Sequence, residues 1–146
     1  MSSGLSPQDI TVAGFQCTEA VTRLFRHLDR REYDQVSALM TPDGTWQRPD
    51  GRVRNGAELT ASLAKRPAGL MISHVLTSLS ADVTASDKAV VSGLMVIFRD
   101  ENGASSPLPA RMSPPTAVIE CAIACRKLGN DWRVAAIDVN YLFKAQ

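Results

Sequence analysis

The apolar residues of this chain change their period near residue 70, and that change restricts the fold more than any single motif. Before it, spacings of three and four dominate. In TEAVTRLFRHLDRREYDQVSALM, Val21, Leu24, Phe25 and Leu28 follow the i, i+3, i+4, i+7 pattern of one buried helix face. A second short helix carries Tyr33, Val36 and Met40 on one side, and TPDG at 41–44 stops it with the turn residues Pro42 and Gly44. TWQRPDGRV reads as a short strand or a hairpin around PDG. NGAELTASLAKRP reads as a third helix, with Asn55 as N-cap, Glu58 three residues later and Pro67 at its end.

After the change the pattern is that of strands. Residues 70–83 form the first long one, and KAVVSGLMVIFRD at 88–100 is apolar on both faces, as expected for a strand covered on both sides. TAVIECAIACRKL and DWRVAAIDVNYLF form a hairpin joined near GND. ENGASSPLPARMSPP, at 101–115, is a Gly/Ser/Pro-rich loop of a length associated with function or mobility, and is expected to shape an entrance. Three helices followed by a curled, mostly antiparallel sheet make an α+β domain.

With 146 residues the chain is read as one domain with a real core. Residues 1–10 are expected to be a disordered leader, 11–143 the domain and 144–146 a tail. MSSGLSPQD lacks the basic and apolar regions of a secretion signal, and no apolar run is long enough to span a membrane. Sixteen basic residues against 15 acidic ones give a net charge of +1 with no basic stripe, which argues against nucleic acid. The expected partners are a small molecule and further copies of the chain. Three cysteines are an odd number. Cys121 and Cys125 lie roughly 13 Å apart along one strand, beyond the about 7 Å that a disulfide tolerates. Reduced, buried thiols fit a cytoplasmic location. With two histidines and no zinc spacing, no metal site is expected.

The titratable residues that stand out are His74 and Asp29. His74 shares its strand face with Ile72 and Leu76. It is either a hydrogen-bonded structural residue or a general base. Asp29 lies four residues after Phe25 and eight after Val21, bordering the buried stripe, where a carboxylate needs a partner. It either caps the next helix or pairs with His74; in the second case it would set the imidazole tautomer and raise its basicity. His27, between basic neighbours, is assigned no role. Trp46 and Arg48 share one face of a short strand. Tyr33, Trp46 and Tyr141 are core aromatics or pocket walls. Ile119, Cys121, Ile123 and Cys125 make an apolar lining opposite Glu120, which faces solvent or a partner copy.

LFRHLDRREYDQVSALMTPDGTW, RNGAELTASL, ISHVLTSLSADV and GNDWRVAAIDVNYLF, in this order and spacing, resemble the SnoaL-like branch of the nuclear-transport-factor-2-like superfamily over about residues 11–143. The resemblance implies a cone-shaped α+β fold. In it a strongly curved, mixed but mostly antiparallel sheet wraps round the helices, with a ligand pocket in its mouth and dimers or trimers formed through the outer sheet face. Within the branch the pattern is nearest to scytalone dehydratases and hexachlorocyclohexane dehydrochlorinases. That likeness implies a cofactor-independent lyase or isomerase in which His74 and Asp29 are the catalytic pair. The substrate would be a small, apolar, cyclic molecule held by Tyr33, Trp46, Cys121 and Tyr141. Two departures stand out. VVSGLMVIFRD contains no second histidine, and Leu28 precedes Asp29 where a dehydratase would carry a tyrosine. The alternatives are a non-catalytic binding protein with the same pocket and a scaffold subunit resembling ring-hydroxylating dioxygenase β subunits. An enzyme requires contact between His74 and Asp29 beside a cavity; a scaffold requires a filled interior.

Overall fold

Helix α1 (Pro7–Asp29) starts earlier than the apolar period indicates. Ser6 caps it: its hydroxyl accepts from the Asp9 amide, the Asp9 carboxylate accepts from the Ser6 amide, and Pro7 occupies the first turn. Residues 7–10 are therefore helical rather than part of a leader. The computed structural model describes residues 4–146, and residues 1–3 of the expected leader lie outside the described residues. Cys17, Ala20, Val21, Leu24, Phe25 and Leu28 form the buried face of α1, as the spacing predicts.

Helix α2 (Tyr33–Ala38) is short and buries Val36, while Met40, expected on the same helix, opens strand β1 (Met40–Arg48). TPDG does not end in a turn as expected. It is a bulged part of β1, where five residue steps from Met40 to Thr45 face two steps from Val134 to Ala136. β1 then forms the expected hairpin with β2 (Gly51–Arg54), closed by Arg48 opposite Gly51. Helix α3 (Ala57–Ala64) has Gly56 rather than Asn55 at its N-cap, without a side-chain cap. The Asn55 side chain is used elsewhere. Its Oδ1 accepts from the Ser37 hydroxyl, and its Nδ2 donates to the Ser37 and Thr41 carbonyls, joining the end of α2 to β1.

Four long strands follow: β3 (Met71–Ala85), β4 (Lys88–Asp100), β5 (Ala117–Leu128) and β6 (Asp131–Lys144). The sheet is six-stranded, ordered β2-β1-β6-β5-β4-β3, and not closed. Only the β1–β6 pair is parallel. At the β5–β6 turn Gly129 takes a positive φ of 62°.

Bulges let the long strands bend round α1. In β3, three steps from Thr77 to Ser80 face two steps from Leu94 to Ser92, and Ser78 takes a φ of 54°. The extra residue changes parity, so His74 and Leu76 face inward before the bulge and Leu79, Ala81 and Val83 after it. Gly93 accommodates the bulge on β4, since a Cβ there would meet the Leu79 side chain at 2.6 Å and the Thr77 carbonyl at 2.9 Å. β4 buries Ala89, Val91 and Met95 on its inner face, but its outer residues Val90, Leu94, Val96 and Phe98 stay half-exposed. The expectation of cover on both sides is therefore met on one side only within a single chain. The loop at 101–115 contributes no wall to the main cavity. Asp100 holds it beside β4 by accepting from the Asn102 and Arg111 amides.

Candidate active site

α1 covers the inner sheet face along most of its length, packing on β3, β4 and β6, with Cys17, Val21 and Leu24 in the shared core. Its last turn stops short of the strand ends. Beyond it a cavity of about 660 Å³ opens, with Phe25 and Leu28 of α1 on one side and Ala117, Ile119 and Val139 on the sheet side.

His74 lies on this cavity wall and meets Asp29 there. The Asp29 carboxylate accepts twice from the same residue, at Oδ2 from the His74 backbone amide at 2.8 Å and at Oδ1 from Nδ1 at 2.5 Å. The backbone bond is possible because β3 is an edge strand, so amides on its far side have no ladder partner. Asp29 is also the last residue of α1, at the negative end of the helix dipole, and the two donors offset that unfavourable placement. It does not cap α2, whose N-cap is Glu32. An ionised Asp29 requires the hydrogen on Nδ1, which leaves the Nε2 lone pair as the free position of the ring. The two side chains are 12% and 22% exposed, so the pair is shielded but reachable. The His74 ring also leans on Phe25, 5.5 Å between centroids.

Positioning of the pair extends beyond α1 and β3. Arg31, in the left-handed region at φ 61°, donates from its guanidinium to the carbonyls of Arg66, Pro67, Ala68 and Leu70. Arg66 donates back to the Leu28 carbonyl at 3.0 Å. These bonds clasp the connection leading into β3 against the end of α1.

Tyr33, Trp46 and Tyr141 all line the cavity, Trp46 buried and Tyr141 at the exposed mouth. Cys121 does not. It is buried in the core further along β5, with its thiol 3.4 Å from the Gly93 carbonyl, because α1 covers that part of the sheet. Of the expected β5 lining only Ile119 reaches the cavity, joined by Ala117. Burial pushes the Cys121 thiol up from its ordinary range. Glu120, on the outer face, is exposed, and His27 contacts Glu32 at 3.3 Å. All three cysteines are free.

Arg48 and Arg66 are cavity residues that sequence reasoning assigned no role. The two-residue spacing of Trp46 and Arg48 was the available signal, and the guanidinium does lie over the Trp46 ring, 5.2 Å from its centroid. Burial lowers the Arg48 guanidinium from its ordinary value, and Asp50, Tyr33 and Tyr141 oppose that shift. The Tyr33 hydroxyl is buried and lacks a hydrogen-bond partner of good geometry. Among the described residues no group of three or more His, Cys, Asp or Glu side chains could hold a metal ion, and no helix is long and apolar enough to cross a membrane.

Solved structures share this architecture. One is a hexachlorocyclohexane dehydrochlorinase of LinA type 3 from Novosphingobium barchaimii LL02, with 10% identity over 96% of this chain and 93% of that one, TM-score 0.75. A scytalone dehydratase-like protein from Novosphingobium aromaticivorans DSM 12444 has 12% identity over 94% and 90%, TM-score 0.72. A cystatin-like-fold protein of unknown function from Nostoc punctiforme PCC 73102 has 14% identity over 87% and 89%, TM-score 0.67. At these identities the likeness shows the fold alone. No curated protein matches the chain. The family model described as a SnoaL-like domain matches residues 15–138, so the chain belongs to the SnoaL-like domain family of the nuclear-transport-factor-2-like superfamily.

Proposed function

We propose that the chain is a lyase or isomerase of the dehydratase or dehydrohalogenase type, with His74 as general base and Asp29 as its orienting partner. The observation that supports this reading is the double acceptance by Asp29 of both N–H groups of one histidine at a cavity wall. Nε2 takes a proton from a carbon of the bound substrate. The electron pair left on that carbon forms a double bond and either expels a leaving group from the neighbouring atom or shifts an existing double bond. Asp29 stabilises the imidazolium that forms. A positioned base contributes about 10²- to 10⁴-fold, and the walls formed by Tyr33, Trp46 and Tyr141 hold the substrate in register with it. The dehydratase-like and dehydrochlorinase neighbours support the same reaction class.

The test is conversion of a panel of cyclic ketones, β-hydroxy ketones and chlorinated cyclohexanes in deuterated water. Elimination or deuterium incorporation should appear with the native protein and disappear in His74→Gln and Asp29→Asn. Conversion at the native rate in His74→Gln, or binding without conversion across the panel, would replace this reading with that of a carrier.

A further inference from the structure

The cavity's charge is one-sided. Its lining holds Arg48, Lys65, Arg66, Arg99 and Lys144 but, of carboxylates, only Asp50. Several of these charges are already answered. Lys65 reaches Asp50 at 3.2 Å, Arg99 reaches Glu101 at 3.3 Å, Arg66 donates to the Leu28 carbonyl, and Lys144 sits at the exposed mouth over the Tyr141 ring. Arg48 differs. Among the described residues it has no ion pair and, unlike Arg66, no side-chain hydrogen bond at all, while its Nε, like that of Arg66, is buried without a partner. Its guanidinium lies over the face of Trp46, and Asp50, already engaged by Lys65, acts on it without an ion-pair contact.

A guanidinium keeps its charge even when burial disfavours it, and its fork of donors matches a carboxylate in two parallel hydrogen bonds. Burying such a group beside apolar walls is unfavourable without an anion to receive it. The rings between Arg48 and His74 form one continuous wall: Arg48 on Trp46 at 5.2 Å, Trp46 edge-on to Phe25 at 5.6 Å, and Phe25 against His74 at 5.5 Å. A molecule lying along it would meet a fixed cation at one end and the imidazole at the other.

We propose that Arg48 is the anion-binding residue of this cavity and that its ligand is an organic carboxylate on an apolar ring, an alicyclic or aromatic acid rather than a wholly apolar compound. Placement of the reacting carbon at His74 rests on the proposed function; the preference for an anion does not. In this arrangement Arg48 fixes the ring by its carboxylate, and Trp46 and Phe25 cover the ring's face.

The experiment is calorimetric titration with matched pairs: 2-naphthoate and 2-naphthamide, and cyclohexene-1-carboxylate and cyclohexene-1-carboxamide. The acids should bind at least tenfold more tightly than the amides. Arg48→Met, which keeps the alkyl stem on Trp46, should abolish that preference, Arg48→Lys should retain part of it, and His74→Gln should leave it intact. Circular dichroism confirms folding of each variant, and Arg48→Gln replaces the methionine variant if that one does not fold. Equal affinity for acid and amide, no binding of either acid, or a preference that survives loss of the guanidinium would overturn the proposal. Anion preference without His74-dependent conversion sinks the general-base reading alone, and conversion without anion preference sinks only this one.

Discussion

The inner face of the sheet has one covered stretch and one open stretch, and they differ in what α1 does over each. Under the middle of α1 the two layers share one core: Val21, Leu24, Val91, Cys121, Ile123, Val134 and Ile137 are all at most 1% exposed. Beyond Leu28 the strands continue without the helix, and the same alternation of inward residues lines a cavity. Inward-facing positions therefore carry two kinds of residue. Where the helix covers them they are apolar or thiol, Trp132 among them. Where it does not, they include His74, Arg48, Arg99 and Tyr141. A polar residue is tolerated on this face only where space remains for something else to solvate it.

The contrast can be broken most sharply at the open stretch by His74→Gln, which should lower turnover of any panel substrate by about 10²- to 10⁴-fold while the cooperative unfolding transition persists. Rates and denaturant midpoints measured on one preparation check both halves of that statement. At the covered stretch, Leu24→Ala should cost about 2–5 kcal/mol in guanidinium unfolding, since the void cannot be refilled. Ile72→Ala removes a comparable side chain from the cavity wall and should cost less than half as much, because that wall already borders open space. Equal losses would mean that the two stretches are packed alike.

Smaller effects sharpen the picture. The three thiols should resist Ellman's reagent at pH 8 in the folded protein and all react after unfolding, as Cys17, Cys121 and Cys125 are 0–3% exposed. Cys125 reinforces this, since its thiol is pushed up by its contact with Cys17 and by burial. A fast-reacting thiol in the folded protein would show that the covered stretch opens locally. The smallest effect belongs to the β1 bulge, where Arg126 holds the exposed Asp43 carboxylate below its ordinary range. The sign follows from that direction: the contribution is present at neutral pH and is lost as pH falls through the lowered value. Asp43→Asn should remove only this slight acid sensitivity of the melting temperature.

Much of this arrangement is legible in the sequence, for physical reasons. The 3.6-residue period isolates α1, and the four long strands appear with their limits nearly right because their turns carry Gly, Asn and Asp. Asp29 and His74 announce themselves as ionisable residues at the margin of apolar faces. Other features depend on neighbours distant in the chain. The TPDG segment has turn chemistry, but β6 recruits it into a bulged strand. Asn55 has the composition of a cap, yet Ser37 and Thr41 claim its amide. Cys121 and Ile119 have the same parity on β5, and only the point where α1 ends separates core from cavity. Likewise the bulge at Ser78 moves the inward set of β3 from even to odd positions, which strict alternation cannot anticipate.

The Arg31 clasp has a bearing on timing. Because one guanidinium ties four carbonyls of the segment feeding β3 to the end of α1, acid and imidazole reach their mutual distance when the chain folds rather than when a guest arrives. The proposed reaction would start on such a frame from a ready geometry. A lysine at position 31, with a single ammonium in place of the fork, would loosen that frame without altering either side chain of the pair.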